Sequence, residues 1–221
     1  MRRVLRLRPG DSVTVFDDEG WEHEGIIRCY RDASAEIEIL KSYRPERESC
    51  LDVTLAQAVA RGEKMDWIVQ KATELGVRAI VPFFSSYTIP RLDSKKIEAR
   101  KVRWRKIALA AAKQSGRTRI PELLNACDFT ELVRRPSSCD LKLLLWEKES
   151  LQSLKQIREG KASVNSLLLA IGPEGGFSAE EASEAMRHGF LSIRLGKRIL
   201  RTETAAVAAL ALAQFLWGDM G

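Results

Sequence analysis

Histidine and cysteine are scarce in this chain, with two and four among 221 residues. His23 and His188 are far apart in the sequence, Cys29, Cys50, Cys127 and Cys139 are scattered, and no C-x-x-C spacing occurs. Zinc-ligand intervals are thus missing, so a structural metal is not expected and the thiols should be free, in a reducing compartment. Long apolar runs are missing too. No uninterrupted stretch approaches the roughly 20 residues that cross a bilayer as a helix, and the start, MRRVLRLRPGD, is basic without a signal-peptide core. The expected location is the cytoplasm. Neither phosphate-cradling signature occurs, G-x-x-x-x-G-K-[ST] or G-x-G-x-x-G, so pyrophosphate is not the expected guest of any glycine-rich turn.

What is present is a core-forming composition, 45% hydrophobic, with a net charge of +6. The length suits one large domain or a medium domain with a small one. The charge is concentrated: 91–119 holds 11 Lys/Arg against Asp93 and Glu98, a local +9 that leaves the remainder at −3. A solvated helix face explains some of such a run, but one basic segment in an otherwise slightly acidic protein suits phosphates, and a nucleic-acid partner is expected.

The first forty residues favour β-structure. SVTVF at 12–16 and EIEIL at 36–40 alternate, and DDEG at 17–20 is turn chemistry. The polar stretch KSYRPERES at 41–49 places a boundary near residue 46 and divides the chain into 1–46 and 47–221. Beyond it the pattern becomes α/β. LDVTLAQAV opens as a strand, and Met65, Ile68, Val69, Ala72 and Leu75 have helical spacing ahead of Gly76. VRAIVPFF reads as a strand, followed by a basic helix from about Ser94, a candidate N-cap, to about Gly116. LKLLLW and SLLLAI are continuous apolar runs of the kind that form parallel strands covered on both faces.

Two loops stand out. After SLLLAI comes IGPEGGFSAEE at 171–181, in which Ser178 and Glu181 form a capping box for a helix ending near His188 and Gly189. After the strand FLSIRL comes LGKRILRTET at 195–204, and then a helix over 205–217 that is small or apolar nearly all round and so requires burial on more than one side. Ligands of open α/β sheets bind beyond the carboxyl ends of the strands, where both loops lie, so one shared pocket is predicted.

These segments carry a resemblance. IGPEGGFSAEE and LGKRILRTETAAVAAL, with KMDWIVQKATELGV at 64–77 and AAKQSGRTRIPEL at 111–123, resemble the RsmE family, the small-subunit (16S) rRNA (uracil-N3)-methyltransferases of the SPOUT superfamily. The resemblance runs from about residue 51 to the end of the chain. It implies an α/β fold with a SPOUT-type parallel sheet and a C-terminal trefoil knot over 47–221, S-adenosylmethionine as methyl donor, a homodimer, and 16S rRNA or the small ribosomal subunit as substrate. It also implies an N-terminal PUA-like β-barrel that grips RNA, over 1–46. Family members usually carry a leading strand and a pair of histidines before a VLRLRPGD stretch, so the barrel is expected to be incomplete here.

The same resemblance implies roles for residues. Leu145, Gly172, Pro173, Glu174, Gly175, Gly176, Leu195, Gly196, Ile199, Leu200, Thr204 and Ala205 would surround the donor. Arg201 would stabilise charge developing on the uracil, although spacing alone equally suits an ion pair with Glu203. Independently of the resemblance, the basic segment offers Arg91, Arg103, Arg105, Lys113, Arg117 and Arg119 as candidates to grip the RNA backbone, of which Gln114 to Arg117 is the portion that also matches the family; Trp104 could stack on a base but is assigned to packing. Two other readings stay open on the residues alone. One is a knotted methyltransferase acting on another base or a ribose 2′-hydroxyl; the other is a non-catalytic RNA-binding module of ribosome assembly.

Overall fold

A computed structural model describes residues 6–32, 34–89, 93–148 and 153–221. The chain divides into two compact units, one formed by 1–48 with 116–120 and the other by 49–115 with 121–221.

In the first unit, β1 (Ser12–Phe16), β2 (Glu22–Arg31) and β3 (Ser34–Tyr43) form an antiparallel sheet with β2 central. The β2–β3 register shifts between Glu24 and Gly25 and again between Ile27 and Cys29. Gly25 is required at the first irregularity, because a Cβ there would stand 2.5 Å from the Glu38 carbonyl oxygen. Two carboxylates tie the unit together. Buried Glu22 accepts from Tyr43 Oη at 2.8 Å and Arg47 Nη1 at 2.6 Å, while Glu48 accepts from Arg117 Nη2 at 2.6 Å and from the Thr118 amide at 3.0 Å.

The second unit is built on a parallel sheet in the order β10-β8-β9-β4-β5-β6, with β7 also paired to β5. Its strands are β4 (Asp52–Ala58), β5 (Ala79–Phe84), β6 (Glu122–Leu123), β7 (Cys127–Asp128), β8 (Leu141–Leu145), β9 (Ser166–Ile171) and β10 (Leu191–Ile193). The apolar runs occupy the middle of the sheet, where Leu143, Leu144, Leu167, Leu169 and Ala170 are buried, as strands covered on both faces require.

Helices α1 (Lys64–Glu74), α2 (Ser94–Ser115), α3 (Phe129–Arg134), α4 (Leu154–Gly160), α5 (Ala179–Arg187) and α6 (Thr202–Trp217) connect or cover the strands. In α1 the stripe of Met65, Ile68, Val69 and Ala72 is buried, and Gly76 follows with φ +78. Helix α2 buries Trp104, Ala108, Ala111 and Ala112, so Trp104 is a packing residue. Its cap is Asp93, one position before the expected Ser94: the Asp93 carboxylate accepts from the Lys96 amide at 2.8 Å. Ser178 and Glu181 form the expected capping box of α5, which ends at Arg187 with His188 as its C-cap. Helix α6 begins at Thr202, three residues earlier than the apolar run suggested. Gln214 within it accepts from Ser49 Oγ at 2.6 Å and donates to the Leu75 carbonyl at 2.8 Å, so the polar end of this apolar helix is satisfied inside the fold.

All four cysteines are free thiols. Burial, the main cause, pushes the Cys127 thiol up to about 11. Among the described residues no group of acids, histidines and cysteines is arranged to hold a metal, and no helix is long and apolar enough to cross a membrane.

Candidate active site

Three strands of the large sheet finish in register, and the fourth, β4, runs one residue further. Ile193 of β10 pairs Leu145 of β8, Leu145 pairs Ile171 of β9, and Ile171 pairs Gln57 of β4. Their carboxyl ends therefore form one straight rim, and the loops leaving β8, β9 and β10 start side by side. These loops enclose a cleft of about 540 Å³, within the usual range for a small-molecule site.

The GPEGG loop forms one wall. Its backbone turns with the Gly176 amide donating to the Pro173 carbonyl at 2.9 Å and Gly176 at φ +71. The positive φ favours glycine at 176, and a Cβ there would stand 2.9 Å from both carboxylate oxygens of Glu147 on the β8 loop, displacing that side chain. Phe177 anchors the end of the turn. It is 1% exposed and lies 5.2 Å from the Phe129 ring and 6.2 Å, stacked, from Phe83. That burial contributes about 2 kcal/mol and fixes where the turn leaves the sheet.

The third loop reaches α6 through Thr202. Its buried hydroxyl donates to the Gly172 carbonyl at 2.7 Å and accepts from Gln57 Nε2 at 3.0 Å. Arg201 stands just before it, at the N-cap, exposed and lining the cleft. Among the described residues Arg201 makes no ion pair; the carboxylate of Glu203 instead lies 3.8 Å from Lys64 Nζ. Lys64 also donates to Glu174 Oε1 at 2.9 Å, and the Arg61 amide donates to the same oxygen at 3.1 Å. Burial raises the Glu174 carboxyl, but the Lys64 ammonium and the backbone amides outweigh it, and the net shift is below the ordinary carboxylate value. Glu174 is thus an ionised brace of its loop at neutral pH.

The structure brings together Leu145, Gly172, Pro173, Glu174, Gly175, Gly176, Leu195, Ile199, Leu200, Arg201 and Ala205 in this one cleft. Two expected members are not in its lining. Gly196 is exposed, with φ +72 and open space around it, and serves the turn; Thr204 is exposed on the first turn of α6 because the helix starts earlier than expected. Lys64, Trp146, Glu147, Arg194, Arg198 and Thr202 line the cleft without having been anticipated. The Trp146 indole nitrogen is buried there with no hydrogen-bond partner among the described residues.

The expected RNA-gripping residues separate into different roles. Arg105 and Lys113 are exposed on α2, and Arg119 is exposed with Nη2 donating to the Glu19 carbonyl at 3.0 Å. Arg103 is exposed but paired with Asp66 at 2.5 Å. Arg117 is corrected: it is only 6% exposed and its guanidinium holds Glu48, so it is an internal ion pair and not a backbone contact. Arg91 lies outside the described residues.

Comparison with known proteins points in one direction. A sequence profile described as an RNA methyltransferase domain matches residues 47–214. The chain is 31% identical over 216 residues to the ribosomal RNA small subunit methyltransferase E of Bacillus subtilis, covering 96% of this chain and 84% of that protein. The solved ribosomal RNA small subunit methyltransferase E of Neisseria gonorrhoeae, bound to S-adenosylmethionine, superposes with a TM-score of 0.90 at 37% identity, over 100% of this chain and 89% of that one. A Legionella pneumophila protein solved with bound SAM gives a TM-score of 0.91 at 36% identity, over 99% and 88% of the two chains.

Proposed function

We propose that this chain, which belongs to the ribosomal RNA small subunit methyltransferase E family of RNA methyltransferases, transfers a methyl group from S-adenosylmethionine to N3 of a uridine in small-subunit (16S) rRNA. The observation that carries the reading is the convergence of the β8, β9 and β10 loops on one cleft with Arg201 in its lining.

The residues present fit the donor. Leu145, Ile171, Leu195 and Leu200 offer apolar walls to an adenine, and the 172–176 turn contributes main chain to the lining. The carboxylates of Glu147 and Glu174 suit hydroxyl and cationic groups. When bound, the donor supplies an electrophilic methyl on a positively charged sulfur. The protein's task is then alignment and charge stabilisation.

Uracil N3 bears a proton; its passage to solvent would leave negative charge spread over N3 and the flanking carbonyl oxygens, and as N3 takes the methyl the methyl–sulfur bond would break with its electron pair left on sulfur. Arg201, permanently cationic, is placed to meet that charge. The N-terminus of the sixteen-residue α6 starts at the next residue and adds its positive dipole end to the same region. A base in folded rRNA must first be turned outward to reach the cleft, which calls for a hold on the backbone that Arg105, Lys113 and Arg119 are exposed to provide.

The finer architecture is part of the same proposal. Strand β10 lies at the sheet edge beyond β8, yet Thr202 directly after its loop bonds to Gln57 at the end of β4; a chain crossing the ends of β8 and β9 supports a trefoil knot over 47–221. The exposed Leu212 and Phe215 of α6 support a homodimer. The antiparallel sheet of the first unit supports a PUA-like RNA-binding domain over 1–46. We place the enzyme in the cytoplasm, where its substrate is made.

The test is incubation of unmodified small-subunit RNA with protein and donor, followed by mass spectrometry of the digested nucleosides. One N3-methyluridine per RNA is expected. A methyl group on ribose would refute the acceptor, and none on naked RNA or on small subunits would refute the reaction.

A further inference from the structure

We propose that Tyr87 is the platform on which the target base stacks as it enters the cleft, an inference that rests on the RNA methyltransferase reading above. Tyr87 lies between β5 and α2 and is 52% exposed. Residues 85–89 are nevertheless firmly held. The Ser85 amide donates to Thr88 Oγ1 at 2.9 Å, and the Thr88 amide to the Ser85 carbonyl at 3.1 Å. The Ser86 amide and hydroxyl both donate to Glu181 Oε1, at 2.8 and 3.0 Å. Because Glu181 also caps α5, this segment is fastened to the element that follows the GPEGG turn.

The segment also stands against the cleft itself. A Cβ added to Gly175 would lie 2.9 Å from the Cβ of Tyr87, so glycine at 175 is what allows the tyrosine to sit on that wall. Arg61 links the two a second time, its amide donating to Glu174 and its Nε to the Ile89 carbonyl at 3.2 Å. The backbone that carries an exposed aromatic is therefore held at the edge of a cleft whose side chains carry four cations, Lys64, Arg194, Arg198 and Arg201, against two acids, Glu147 and Glu174.

That combination selects the occupant. Cations attract a phosphate backbone, and an exposed ring beside them offers a π-face to an unstacked base without requiring hydrogen-bond readout. Stacking on Tyr87 would offset part of the unstacking that extrusion costs. A tyrosine has few rotatable bonds, so little side-chain entropy is lost when the base arrives. Arg201 acts on the reacting edge; Tyr87 is a positioning residue that acts on the face.

The test uses the full chain with donor and small-subunit RNA transcribed with 5-iodouridine, irradiated and analysed by peptide mass spectrometry, alongside kinetics on ordinary RNA. The expected result is an adduct on Tyr87, a KM for RNA raised about 10-fold in Tyr87→Ala, and restoration by Tyr87→Phe. Donor affinity by calorimetry and melting temperature should match wild type in both variants. Methyl transfer by wild type with no adduct on Tyr87 and an unchanged KM in Tyr87→Ala would overturn the assignment. So would a Tyr87→Ala protein whose sedimentation changes while its KM does not, since the ring would then be a protein contact. An adduct on Tyr87 without any methyl transfer would instead refute the reaction and leave the base contact standing.

Discussion

The hydroxyl of Thr202 donates to the carbonyl of Gly172 across 2.7 Å, joining the first residue of α6 to the turn that leaves β9. With Gln57 Nε2 donating to the same hydroxyl, three segments distant in sequence share one buried polar contact at the rim of the sheet. Thr202→Val keeps the shape and removes both bonds. A loss of about 1 to 3 kcal/mol in urea denaturation is expected, because the Gly172 carbonyl loses this donor and Gln57 Nε2 keeps only its bond to the Ala58 carbonyl. Donor affinity should fall with it; a variant with wild-type stability and affinity would show the loops to be independent.

The role proposed for Arg201 is in the transition state rather than in binding. Arg201→Ala should leave donor affinity by calorimetry within about twofold while lowering kcat by about 10²-fold, the scale of a removed charge-stabilising donor. A variant with equal turnover would take Arg201 out of the mechanism.

Glu174 gives a pH signature. Its folded-state value lies below the ordinary 4.5, so the carboxylate contributes stability above that value and loses it as pH falls through the lowered one. The stability difference between wild type and Glu174→Gln should be constant from neutrality to about 4.5 and close in more acid solution. Denaturant midpoints across that range read it directly. A gap that persists at low pH would mean that the brace depends on shape and not on charge.

Arg117 and Lys113 lie within one basic segment and should behave oppositely. Arg117→Met leaves Glu48 without its cationic partner and is expected to cost about 3 kcal/mol of stability. Lys113→Ala should leave stability unchanged and reduce the salt slope of RNA binding by about one. Equal effects of the two on RNA affinity at unchanged stability would contradict the burial of Arg117.

Much of this site was legible because local chemistry announced it. The S-x-x-E of α5, Gly76 after α1 and the apolar runs of β8 and β9 each encode structure within a few residues. Elements too short for a period were not legible: α3 has six residues and α4 seven, and β6 and β7 have two each. The irregular register of β2 around Gly25 likewise breaks the alternation by which a strand is read. The start of α6 was misplaced because Thr-Glu-Thr reads as loop until the partners of Thr202 are known. Trp146, Glu147 and Lys64 carry no glycine signature, and only the in-register ending of the strands and the docking of α1 bring them to the cleft. Charge density misled at Arg117, since a count of cations cannot distinguish an exposed arginine from one committed to a buried carboxylate.

The most direct measurement is a crystal structure of the protein with S-adenosylmethionine. Density for the donor is expected in the cleft, touching the loops after β8, β9 and β10 together, with Arg201 beside the methyl group. A donor bound elsewhere, or touching the GPEGG turn while the 195–201 loop stands away, would contradict the shared site.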